Sequence, residues 1–116
     1  MRVYVATTPE SLKTLLSSGV LVVDDYLTPD QFQFDSETDL ESREHLISLL
    51  AAEDSLEMNL GRLGLVLAVD LDSEQLELED IPIRINQLAA VLYTEDGEEL
   101  SYFAPDELPH QISSWL

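Results

Sequence analysis

The pattern of apolar and polar positions has one dominant feature. Leu63-Gly64-Leu65-Val66-Leu67-Ala68-Val69-Asp70-Leu71 is the longest nearly unbroken apolar run in the chain. It is too short to cross a membrane and too rich in Val and Leu for a loop. Such a run, with polar residues just after it, predicts a strand buried on both faces. Gly61 and Gly64 at its front argue against a buried helix.

The other elements are read as covering this strand or pairing with it. Residues 2–6 predict a first strand, with Val3 and Val5 on one face and Tyr4 on the other. Thr7-Thr8-Pro9-Glu10 signals a helix start. Either threonine suits the cap, Pro9 suits the first turn, and Thr7 to Glu10 has the spacing of a capping box. Leu12, Leu15 and Leu16 make one apolar stripe, and Gly19 is a natural stop. Val20 to Val23 predicts a short strand or a buried connector, and residues 24–30 a turn-rich segment. Phe32 and Phe34 alternate with polar residues, as in an edge strand or a lid. A long helix is expected over residues 36–53, capped by Ser36 or Thr38, with Leu40, Leu46, Ile47, Leu50 and Ala51 at helical spacing. Leu56 and Leu60 would carry it as far as Gly61.

Beyond the central strand, Asp72-Ser73-Glu74 reads as a turn. Gln75-Leu76-Glu77-Leu78-Glu79 alternates without a break and predicts a half-exposed strand, Leu76 and Leu78 inward. Pro82 limits Ile81-Pro82-Ile83 to a sheet edge or a connector. One helical turn is expected over residues 85–88, then a strand over residues 89–94. Asp96-Gly97, between that strand and Leu100-Ser101-Tyr102-Phe103, signals a hairpin. Pro105 and Pro109 open short helical turns, and Ile112, Trp115 and Leu116 are expected to pack down. The sum is a single α+β domain over residues 1–116. It has a four- to five-stranded, mostly antiparallel or mixed sheet, two main helices on one face, and a C-terminal hairpin plus short helix.

Composition narrows the function. A 116-residue chain with 45% hydrophobic residues has enough material for one core. It contains no cysteine, which removes disulfides, thiolate catalysis and cysteine-held metals. Neither a signal-peptide pattern nor a transmembrane run is present, so a cytoplasmic location is expected. Charge is the strongest signal: five Lys plus Arg stand against 24 Asp plus Glu, a net charge of −19. Direct binding to nucleic acid or to anionic lipid is disfavoured, and a basic protein surface is favoured. Solubility alone is the plainer explanation of such acidity.

Candidate chemistry is sparse. Asp70, Asp72 and Glu74 have the alternate spacing that opens a calcium loop. Gln75 and Ile81 stand where that motif needs glycine and glutamate, so a solvated turn is the stronger reading and no metal is expected. Glu41 and His45 share a helix face as a surface pair. Arg43 and Glu44 read as helix-surface charges, and His110 lacks a visible nucleophile. With no glycine-rich phosphate loop, neither an enzyme nor a cofactor is expected. The residues best suited to meet a partner are Asp24, Asp25, Tyr26, Asp30, Phe32, Phe34 and Asp35, with Glu95, Asp96, Glu98 and Glu99 as a second set. In both, carboxylates would steer; in the first, aromatics would anchor, although covering the sheet edge is the stronger reading for those rings.

Several pieces occur together: Met1-Arg2-Val3-Tyr4-Val5-Ala6 before a Leu-rich helix; Val69-Asp70 ending the buried strand; Ala89-Ala90-Val91; and Tyr102-Phe103-Ala104 followed by Glu107-Leu108-Pro109. This series resembles a family of short, acidic actinobacterial proteins of unknown function. The resemblance implies a cytoplasmic α+β protein and supplies no catalytic residues. The expected function is therefore that of a non-enzymatic acidic binding module. It would dock on a basic surface of a nucleic-acid-handling assembly such as RNA polymerase or the ribosome. The alternatives are a DNA mimic that blocks a DNA-binding protein, and a small cation binder or enzyme using Asp70, Asp72 and Glu74.

Overall fold

The structure is a computed structural model that describes residues 1–31 and 39–115, except for the side chain of Asp30. The expectations placed on Phe32, Phe34, Asp35, Ser36, Thr38 and Leu116 fall outside the described residues.

The apolar run becomes strand β3, Gly64–Asp70, buried at every position but the last. It is central because both its edges are taken. Strand β1, Arg2–Thr7, pairs with it antiparallel on one side. Strand β5, Leu88–Thr94, pairs antiparallel on the other, and β6, Ser101–Phe103, adds to β5. Two-residue periodicity then sorts the side chains. Val3, Val5, Leu65, Leu67, Val69 and Val91 enter one core, whereas Tyr4, Val66, Ala68 and Leu92 enter a second on the opposite face.

Two layers cover these faces. On the first lies helix α1, Pro9–Ser18, through Leu12 and Leu15. Thr8 is its cap, with Oγ1 accepting from the Ser11 amide at 3.1 Å. Thr7, the other expected cap, is buried at the end of β1. Gly19 ends α1 at φ +81°, and its amide donates to the Leu15 carbonyl. Beside α1 sits a separate antiparallel pair, β2 (Val20–Val23) with β4 (Ile81–Arg84). The C-terminal turns complete this layer. Helix α4, Leu108–Gln111, buries Leu108. Trp115 stacks on Tyr93 at 5.4 Å and meets Phe103 edge-on at 5.3 Å.

The opposite face belongs to helix α2, Leu40–Met58, capped by Asp39 through the Ser42 amide. The two main helices are thus divided between the faces, not gathered on one. The inward side of α2 is also not the expected leucine stripe. It consists of Ile47, Ser48, Ala51, Ala52 and Ser55, while Leu40, Leu46 and Leu50 are exposed. Close approach explains the choice: a Cβ on Gly64 would come within 2.9 Å of both the Ala52 carbonyl oxygen and Thr94 Cγ2. Small residues let helix and sheet come together there.

Two further corrections concern short elements. Residues 75–79 form no strand; helix α3 spans Ser73–Leu76, and Leu78 is exposed. Gln75 explains this. Its Oε1 accepts from the Asp72 amide at 3.0 Å, and its Nε2 donates to the Pro82 carbonyl and to Gln87 Oε1. Gln87 Nε2 returns a bond to Gln75 Oε1 at 2.8 Å, so the two amides clamp α3 to β4. The expected hairpin exists, but its loop is longer than two residues, since β5 and β6 close at Tyr93 opposite Ser101. Only Gly97 adopts positive φ there, whereas the tightest turn needs it at both central residues.

Candidate functional site

The first acidic set lies where the chain leaves β2. Asp24 and Asp25 are exposed, and Asp25 Oδ1 accepts from the Tyr26 amide at 2.9 Å. Tyr26 is half-buried against the main core, which gives the ring a packing role. Leu27 then returns the chain to the outer edge of β1. Its amide and carbonyl exchange two 2.8 Å bonds with Tyr4.

Tyr26 and Leu27 also line an open cleft of about 880 Å³. β1 and β2 contribute to its lining, together with Ser11 of α1 and the last turns of α2. Its apolar surface includes Val5, Leu21, Val22, Leu27 and Met58, and among the described residues its carboxylates are Asp24, Asp25, Asp54, Glu57 and Asp80 and no Lys or Arg lines it. Val22 is 57% exposed and Met58 54%, so apolar surface is on offer beside the charge.

The sequence pattern did not single out Asp54 or Glu57. A usable signal was present. Glu57 lies in the last turn of α2, where the helix dipole disfavours a carboxylate, and that turn holds no basic residue. An acid placed against local preference is the kind of departure that functional sites carry.

The second set, Glu95, Asp96, Glu98 and Glu99, sits on the β5–β6 loop. Asp96 holds the loop in shape: its Oδ1 accepts from the amides of Glu98 and Glu99 at 2.9 and 3.2 Å. These bonds hold its carboxyl below the usual range. Tyr93 Oη donates to Glu95 Oε1 at 3.2 Å, and burial followed by this bond pushes the phenol up. The hollow around this loop, about 200 Å³, shares no lining residue with the cleft. The two sets are therefore separate surfaces. The cleft joins carboxylates to exposed apolar side chains.

Asp70 is held by Arg2, its partner in register on β1. Nε meets Oδ1 at 2.9 Å and Nη2 meets Oδ2 at 3.1 Å. The guanidinium lowers the carboxyl pKa. Among the described residues, no group of three or more His, Asp or Glu side chains is placed to hold a metal ion. Glu41 and His45 are exposed on α2, and His110 is exposed on α4. Among the described residues, no helix is long and apolar enough to cross a membrane. No protein-family model, curated protein or solved structure matches the chain.

Proposed function

We propose that the protein is a non-enzymatic acidic binding module that uses the cleft between β1 and β2 to dock on a basic surface of a larger, nucleic-acid-handling assembly. RNA polymerase and the ribosome are the assemblies this reading names. The observation that carries it is the lining itself: among the described residues, five carboxylates, no Lys or Arg, and exposed Val22 and Met58. The division of labour follows from magnitudes. Exposed ion pairs contribute only about 0.2–1 kcal/mol each, so the carboxylates steer approach and set specificity. Burying the apolar lining supplies the larger share of affinity, at about 25 cal/mol per Å².

Capture of tagged protein from cells that make it, at low and at high salt, tests the reading. One basic assembly in stoichiometric yield, lost at high salt and lost on replacing Asp24, Asp54 and Glu57 with lysine, is the expected result. Recovery of no companion at either salt would overturn it.

A further inference from the structure

We infer that the partner enters the cleft as an extended, basic segment that adds a strand to the protein; this rests on the docking reading above. The argument starts from unpaired backbone. The Tyr4 amide and carbonyl point away from β3, because they bond Leu27. Strand alternation turns the amide and carbonyl of Ala6 the same way. The pairing with Leu27 is an isolated bridge, and Ala6 has no partner on that edge among the described residues. β2 repeats the situation. The Ile85 amide donates to the Gly19 carbonyl, so the inward-facing pairs in the same register are Leu21 with Ile83 and Val23 with Ile81. The amide and carbonyl of Val22 therefore face outward, again without a partner among the described residues. Ala6 and Val22 line the same cleft.

Two unsatisfied strand borders on one cleft make a template for an extended chain. The lining also states that chain's chemistry. Alternate side chains of an extended segment point to opposite sides, so apolar residues reach Val22 and Met58 while basic ones meet Asp24, Asp54 and Glu57. An acidic segment is repelled by the same carboxylates. A folded basic surface without a free strand satisfies the charge but leaves Ala6 and Val22 unpaired.

The test uses the whole protein and a nine-residue peptide of alternating lysine and valine. A second peptide of the same sequence is N-methylated at its interior amides, which keeps charge and composition but removes strand donors. Amide exchange and chemical shifts are followed through a low-salt titration. Strand addition predicts new protection at the Ala6 or Val22 amide, and binding of the N-methylated peptide weaker by about tenfold, as expected from losing two hydrogen bonds. Glu57→Lys is expected to weaken both peptides.

Equal affinity of the two peptides, with shifts at the acidic residues and none at Ala6 or Val22, would overturn strand addition while leaving charge-steered docking in place. Failure of both peptides to perturb the cleft would overturn the inference outright. The salt-dependent capture experiment would still judge the docking reading independently.

Discussion

Ser55 on α2 stands between two strands of the main sheet. Its hydroxyl accepts from the Leu65 amide at 2.7 Å and donates to the Thr7 carbonyl at 2.6 Å. Asn59, one turn on, adds a second donor to the same carbonyl at 3.2 Å. All three residues, Thr7, Ser55 and Asn59, are buried. At this end β1 and β3 are joined through a hydroxyl, and α2 is fixed to the sheet by the same atoms.

Ser55→Ala leaves the Leu65 amide without an acceptor and the Thr7 carbonyl with Asn59 alone. Stranding buried backbone groups is expected to cost about 2–3 kcal/mol. Urea unfolding checks this, and a loss under about 0.5 kcal/mol would mean that the bridge carries little.

Gly64→Ala pushes a methyl group toward the Ala52 carbonyl and Thr94. Neither neighbour is the end of a flexible chain, so α2 must move. The expected loss is roughly 1–3 kcal/mol, by analogy with overpacked cores. A thermal midpoint equal to the parent's would show that helix and sheet have more clearance than the structure gives them.

Gln75 and Gln87 are expected to behave as a unit. A double-mutant cycle with alanine at each should return a coupling of about 1 kcal/mol, because either substitution alone already breaks both bonds between the two side chains, whereas the bonds of Gln75 to Asp72 and Pro82 and of Gln87 to the Arg84 amide are lost only with their own side chain. Purely additive losses would show that the reciprocal amide bonds are not what holds α3 against β4.

Glu57→Lys separates stability from binding. Replacing an acid with a base at the end of α2 should stabilise the protein by about 0.3–1 kcal/mol. The same change should weaken partner capture. A variant that gains stability and keeps its partner would count against the cleft as the docking site.

Stability should fall in acid, through Asp39, Asp70 and Asp96. Each has a folded pKa below its unfolded value of about 3.9, through the Ser42 amide, the Arg2 guanidinium and the amides of Glu98 and Glu99 respectively. Such groups contribute stability above the unfolded pKa and lose it as pH falls through the folded one. The fall should therefore come below about pH 4. A steady rise down to pH 2 would show that these three contacts are weak in solution.

The central strand was legible because burial on both faces leaves a plain trace, and Thr8-Pro9 with Gly19 bracketed α1. The inner face of α2 was not, because what it needs is smallness. Ile47 and Ala51 stood at the expected spacing and are buried, but Ser48, Ala52 and Ser55 look unremarkable beside Leu46 and Leu50, which face water. Residues 75–79 misled because five alternating residues also accommodate one helical turn, although Asp72 to Gln75 carried the spacing of a cap. Asp24 and Asp25 announced an acidic surface. The cleft itself joins them to Asp54, Glu57 and Asp80 across three separate parts of the chain, a grouping that only the folded arrangement creates.

Pro82 has one more consequence. Opposite Val22 its ring nitrogen faces out of the small sheet, where it has no hydrogen to give, and Gln75 occupies its carbonyl. A ladder that grows from copy to copy needs a usable border on both sides. Here the β4 border is closed at its middle, so a strand taken up along β2 ends the small sheet without extending it. Closure at β4 would keep the small sheet from passing a strand taken up at β2 on to a further copy.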